Sequence, residues 1–262
     1  MSAMPAKLFV GTSGWNYSDW RERFYPADVK PRQYLTHYAT RFHTTEVNYS
    51  FYHLPKRSTY ENWAAQVPPD FVFALKASRT ITHIRRLRDV AELWREFLEN
   101  ASALNDRLGP VLLQFPPSFK KDAQLLAAFL AESSRLDNFG RRRLAFEFRH
   151  ESWFAAEVYE VLRQHGSALV IAHSERYPQA PFVQTARFVY LRLHGPGALF
   201  ASAYSEKQLR DWAAEIVKWM NAEKGVHVYF NNDFQGYAIE NAVTLSGLID
   251  VLQASSRRAT AS

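Results

Sequence analysis

Cysteine is absent from the 262 residues, and glycine is scarce at ten. The first absence excludes a disulfide scaffold, a thiolate nucleophile, a Cys-ligated zinc and any iron–sulfur cluster. A metal would have to sit on His, Asp, Glu or water. The shortage of glycine weighs against a dinucleotide fingerprint: Gly11-Thr12-Ser13-Gly14 follows the first apolar run but lacks the G-x-G-x-x-G spacing. No uninterrupted apolar run approaches the roughly 20 residues that a bilayer-spanning helix needs. Met1 to Lys7 is too short for a secretory signal. A cytoplasmic protein without membrane association is expected.

What is present is apolar. Hydrophobic residues make up 47% of the chain, aromatics 15% and charged residues only 22%, a composition that excludes disorder and predicts a large core. Lysine and arginine number 32 against 26 acids, a net charge of +6. A basic balance suits nucleic acid, an anionic surface or small anions, and serves solubility equally well.

Short apolar runs alternate with longer amphipathic ones. Strands are predicted near 7–11, 44–49, 71–76, 110–115, 143–149, 168–173, 187–194 and 226–231, with helices in most of the gaps. Pro31 opens the first helix. Ser58 with Glu61, and Ser205 with Gln208, have the spacing of capping boxes, and Asp122 can cap another helix. A long helix is expected over 86–108, one over 154–165 stopped by Gly166, and a last one from Tyr237 to Leu252. Between 174 and 187 there is no helical period, so a loop is expected. Strict alternation of strand and helix means a parallel sheet, and eight units in this length fit a closed (β/α)8 TIM-barrel-like domain. That α/β domain is expected to span 1–253, with 254–262 a frayed tail.

Parity then locates the polar residues. The more apolar face of each strand must pack on helices, which leaves Thr44, Glu46 and Asn48, Ala74 and Lys76, Gln114, Glu147 and Arg149, and Tyr190, Arg192 and His194 on faces that line the barrel. Barrel sites lie at the C-terminal strand ends. Lys76, Arg149 and Arg192 against Glu46 and Glu147 leave one positive charge over, which an anionic ligand would balance and which Asp233 could cancel. His83 and His194 are candidate acid/base groups, since nearby cations favour a neutral imidazole. Asn231, Asn232, Asp233 and Gly236 fall where barrels often hold phosphate, at the start of the last helix. Trp15 and Tyr52 are candidate stacking residues, although aromatics at such places also plug loops. The runs Arg85-Arg86-Arg88 and Arg141-Arg142-Arg143 fit solvated faces better than a nucleic-acid stripe.

Several chemistries stay open. Glu46 and Glu147 could form an acid/base pair of the glycosidase kind, depending on their separation. No H-x-H, H-E-x-x-H or D-x-D spacing is present, so a divalent metal is not favoured and the cofactor is unknown. Ser13 lacks the setting of an activated nucleophile.

Gly11-Thr12-Ser13-Gly14-Trp15-Asn16-Tyr17, Phe24-Tyr25-Pro26, Glu46-Val47-Asn48, Phe73-Ala74-Leu75-Lys76, Leu113-Gln114-Phe115-Pro116-Pro117, Phe146-Glu147-Phe148-Arg149-His150, Arg192-Leu193-His194-Gly195 and Asn231-Asn232-Asp233 occur in that order. In this the chain resembles the YecE-like family, domain of unknown function 72, from about Leu8 to Leu252. The resemblance implies a TIM-barrel-like fold of bacterial and archaeal proteins with no established activity. Two positions depart from the family pattern: Glu22 stands where glycine is usual, and His173 where an Asp often stands. Two readings follow. One is a hydrolase-like enzyme acting on an anionic, phosphate-containing or nucleic-acid-derived substrate, with Lys76, Arg149 and Arg192 binding charge and Glu46 and Glu147 positioning or transferring protons. The other is a non-catalytic nucleotide or nucleic-acid binding protein using the same pocket, with no specific protein partner implied.

Overall fold

The computed structural model describes residues 8–136, 143–222 and 224–260. Arg141 and Arg142 of the second arginine run lie outside them. Among the described residues nine strands are all parallel: β1 (Leu8–Thr12), β2 (Thr44–Val47), β3 (Val72–Lys76), β4 (Leu108–Gln114), β5 (Leu144–Glu147), β6 (Ala168–Leu169), β7 (Ile171–His173), β8 (Phe188–Leu193) and β9 (Gly225–Phe230). They run in the orders β2-β3-β4-β5-β6 and β1-β9-β8-β7.

The sixth expected strand is thus two, broken at Val170. β6 pairs with β5 and β7 with β8, while the Val170 amide still donates to the Phe146 carbonyl at 3.0 Å. The other seam lies between β1 and β2, which meet through the Ser13–Glu46 bridge and a 3.0 Å bond from the Thr45 hydroxyl to the Thr12 carbonyl. Gly11 allows that approach, because a Cβ there would stand 2.3 Å from the Thr44 carbonyl oxygen. With these two seams the parallel strands make a TIM-barrel-like ring.

Strand parity decides what fills it. Phe73, Leu75, Val111, Leu113, Phe146, Val189, Leu191, Val226 and Val228 point outward into the main apolar core. Inside lies a smaller cluster of Ala74, Leu112, Ala145, Ala168, Val170, Phe188, Tyr190 and Tyr229. Several inner residues are alanine, which leaves room for the two tyrosines and the charged layer above them.

The helices are α1 (Tyr34–Tyr38), α2 (Tyr49–Tyr52), α3 (Arg57–Ala65), α4 (Ala91–Ala101), α5 (Ala123–Arg135), α6 (Ala156–Gln164), α7 (Glu206–Asn221) and α8 (Tyr237–Thr260). Asp122 caps α5 by accepting from the Leu125 amide at 3.0 Å, and Ser205 with Gln208 forms the expected box at α7. Three expectations need correction. Ser58 does not cap α3, which begins at Arg57; Glu61 pairs with Arg57 one turn back instead. The long helix over 86–108 is only α4 followed by a 3-10 segment, because Arg86, Leu87 and Asp89 take positive φ and a π-helical turn occupies Thr80–Ile84. Leu87 is buried in that irregular turn, so its apolar character reports core packing rather than helical period. Residues 254–260, expected to fray, continue α8, since extending a formed helix costs little. Residues 174–187 are irregular, as expected.

Candidate functional site at the barrel mouth

Glu46, Lys76, Glu147 and Arg192 lie on the C-terminal ends of β2, β3, β5 and β8. Arg192, fully buried, organises them. Its Nε and Nη2 donate to Glu46 Oε2 and Oε1 at 2.9 and 2.7 Å, and its Nη1 donates to Glu147 Oε2 at 2.5 Å. Glu46 also accepts from the Ser13 hydroxyl at 2.7 Å and the Tyr190 hydroxyl at 2.8 Å. Each Glu46 oxygen therefore holds two donors. Glu147 takes a further bond from Arg149 Nε at 2.8 Å. Burial opposes its charge, but Arg192 and Arg149 overcome that and hold the carboxyl well below the usual range. The same two carboxylates overcome the burial of Arg192 and hold its guanidinium charged.

Both carboxylates are thus committed to guanidinium groups. Of the two roles considered for them, positioning fits the geometry and proton transfer does not.

The charge left over is Lys76. Its Nζ forms no hydrogen bond or ion pair with a described residue and stands 4.3 Å from the centroid of the Phe51 ring. Burial and the nearby Arg192 pull it down to about 7, against the weaker pull of Glu46 and Glu147. His83 packs edge-on against the same Phe51 ring, with ring centroids 5.0 Å apart. His83 Nδ1 lies 2.9 Å from the Thr82 hydroxyl, which also lies 3.2 Å from the Ser78 carbonyl oxygen. Burial, then Lys76 and Arg149, push His83 down to about 4. Arg149 lies under Tyr177, 4.2 Å from the ring centroid, and is partly open to solvent.

The remaining expected site residues divide. His194 is fully buried; Asn231 Nδ2 donates to its Nδ1 at 3.0 Å, and its Nε2 stands 3.8 Å from Glu147 Oε1, too far for a hydrogen bond. Burial and Arg192 keep it neutral, and its place behind Glu147 makes it support rather than an acid/base group at the mouth. Gln114 is next to Glu147 in register, but its amide donates to the Phe115 carbonyl. Asn232 ties the Ser202 carbonyl to Asn241 of α8, and Gly236 takes φ +84 in the turn before that helix. Tyr52 is 71% exposed and joins no site. Asp233 pairs with no arginine: burial, then Glu46, push it up to about 8, and its Oδ1 is buried without a hydrogen bond. It does not cancel the charge of Lys76.

Trp15 and Asn48 face elsewhere. Together with Asn16, Tyr49, Asn62 and Trp63 they line a cleft of about 540 Å³ that Lys76 does not line. Sequence parity missed Ser13 and Tyr17. Ser13, no activated nucleophile, donates to Glu46; Tyr17 donates to the Ser13 carbonyl and neighbours Asp233. Among the described residues no group of three His, Asp or Glu is placed to hold a metal, and no helix is long and apolar enough to cross a membrane.

A family model described as "Protein of unknown function DUF72" matches residues 9–261. The UPF0759 protein YunF of Bacillus subtilis is 26% identical, over 93% of this chain and 95% of the relative. A DUF72 family protein from Thermotoga maritima, solved by crystallography, superimposes with a TM-score of 0.82 at 29% identity, covering 93% of this chain and 99% of that one. A xylose isomerase domain containing protein from Salmonella typhimurium superimposes with a TM-score of 0.57 at 10% identity over 97% of this chain and 99% of its own, a likeness of fold alone.

Proposed function

Because the chain belongs to DUF72, a family of proteins of unknown function, we propose its activity from the site: an enzyme that binds a small anionic, phosphate-containing substrate at the C-terminal mouth of the barrel. The observation that carries this reading is Lys76, a cation at a strand end with no carboxylate of its own beside a partly open Arg149. An incoming phosphate would supply the missing counter-charge at the mouth, chiefly to Arg149. With Glu46 and Glu147 paired, the proton carriers are Lys76 and His83, whose pKa values fall to either side of the ordinary histidine range. Hydrolysis would need one of these two to activate water. No metal is invoked.

The test is a crystal grown in phosphate or sulfate, with calorimetric titration of inorganic phosphate. An anion within hydrogen-bond distance of Lys76 and Arg149, and binding weakened at least tenfold in Lys76→Met, is the expected result. A mouth holding only water, with no binding heat, would overturn the reading.

The cleft lined by Trp15, Asn48 and Trp63 favours a second reading, the non-catalytic binding of a nucleotide or nucleic acid. Its aromatic and amide lining, without a carboxylate, suits a heterocyclic base. Nucleotide affinity lost on Asn62→Leu but kept in Lys76→Met would support that reading over the first.

A further inference from the structure

The geometry points to Lys76 as an amine nucleophile that forms an imine with the keto or aldehyde group of a molecule whose phosphate or carboxylate lies on Arg149. This rests on the anion-binding reading of the mouth and extends it to a covalent step.

A lysine in a barrel interior is normally paired, because an unpaired buried charge is costly. Here every carboxylate within reach is taken. From β2, Glu46 gives both oxygens to Arg192, Ser13 and Tyr190; from β5, Glu147 gives its own to Arg192 and Arg149. Lys76 Nζ is left over the Phe51 ring, whose π face favours the ammonium form, while burial and the neighbouring cations Arg192 and Arg149 oppose it; His83 packs on the same ring. Burial and adjacent cations are two means by which an amine is kept unprotonated and nucleophilic. With the group pulled down to about 7, roughly half the molecules carry a free amine at neutral pH. A salt-bridged lysine would stay an ammonium ion and could not attack.

The step balances without an oxidant or metal. The amine nitrogen adds to the carbonyl carbon, and the carbonyl π pair moves to oxygen, which takes up a proton. The nitrogen loses one proton to solvent or to the nearby His83 imidazole, giving a carbinolamine. Protonation of the hydroxyl then lets the C–O bond break, water leaves, and the nitrogen lone pair closes the C=N bond. In sum, amine, carbonyl and one proton give a protonated imine and water. A protonated imine withdraws electrons from the adjacent carbon, so the reactions it serves are those that break or make a bond to that carbon.

Dihydroxyacetone phosphate and pyridoxal phosphate, each a carbonyl compound bearing a phosphate, are suitable probes. The full-length protein is incubated with each at pH 7, reduced with borohydride and mapped by peptide mass spectrometry. One reduced adduct on the peptide carrying Lys76 is expected, formed more than about tenfold faster than on the exposed lysines. Inorganic phosphate should compete, and Lys76→Arg, which keeps the cation and whose fold is checked by circular dichroism, should lose the adduct. Labelling spread evenly over the lysines, or unchanged in Lys76→Arg, would overturn the imine. Phosphate binding by calorimetry separates the two readings: if phosphate binds and Lys76 is not labelled, the imine falls and the anion site stands. If neither occurs, both fall.

Discussion

At the scale of single residues, the mouth is governed by how one guanidinium is shared. Arg192 contacts two carboxylates that are themselves fully buried. Arg192→Met would leave both without their main counter-charge, and removing one partner from a buried pair costs about 3–5 kcal/mol. A urea titration should show a loss of at least that size, whereas Glu61→Ala, which breaks only an exposed pair with Arg57, should change stability by less than 1 kcal/mol or so. Lys76 and Asp233 should act on stability with opposite signs of pH dependence. Lys76 falls from 10.5 to about 7 on folding, so between those values the unfolded chain holds more protons and stability rises with pH. Lys76→Met should therefore stabilise the protein at pH 6 and have little effect at pH 10. Asp233 rises from 3.8 to about 8, so over that interval the folded protein holds more protons and stability falls as pH rises. Asp233→Asn should be neutral at pH 4 and stabilising at pH 8, read from urea midpoints; equal effects at both values would show that Asp233 ionises freely. Strand parity was enough to bring Glu46, Lys76, Glu147 and Arg192 together. It could not say which cation each carboxylate would take, because that depends on side-chain reach across the barrel, from β8 to β2 and β5.

At the scale of elements, the strands were legible and the turns were not. Inward and outward faces differ in composition at every second residue of β3, β4, β5, β8 and β9, so the pattern carries both the strand and its orientation. The stretch 86–108 misled for the opposite reason. Leu87 and Val90 are apolar because an irregular turn buries them, and periodicity does not distinguish that from a helix face. Glu22 gives a more favourable case. Its φ of 63 lies in the left-handed region that a side chain disfavours by roughly 1 kcal/mol. Glu22→Gly should be tolerated or slightly stabilising, unlike most glycine substitutions. Gly11→Ala should do the reverse: the added Cβ meets backbone, the Thr44 carbonyl oxygen, at 2.3 Å, so β1 and β2 must separate where a single bridge joins them. A melting temperature lowered by several degrees is expected. An unchanged value would mean that the seam is free to open.

At the scale of the whole molecule, the net charge of +6 carries less information than where the cations are spent. On α3, α4 and α7 the exposed cations are paired along the helix: Arg57 with Glu61, Arg95 with Glu92, Lys207 with Asp211, Arg210 with Glu206 and Lys218 with Glu215. Such pairs leave no continuous basic stripe on α3, α4 or α7, while the mouth keeps Lys76 unpaired at the end of β3. A surface that tracked a nucleic-acid backbone would release many counterions, and with 6–10 phosphate contacts its affinity would fall about 10³–10⁵-fold between 50 and 200 mM salt. A mouth that engages one phosphate group through Lys76 and Arg149 has no such dependence. Binding of a short single-stranded oligonucleotide carrying a terminal phosphate, followed by fluorescence anisotropy across that salt range, should weaken by less than about tenfold and be lost in Lys76→Met. Steep salt dependence that survives Lys76→Met would place recognition on the basic surface instead, and the paired helices would then have to give up their acids to the incoming strand.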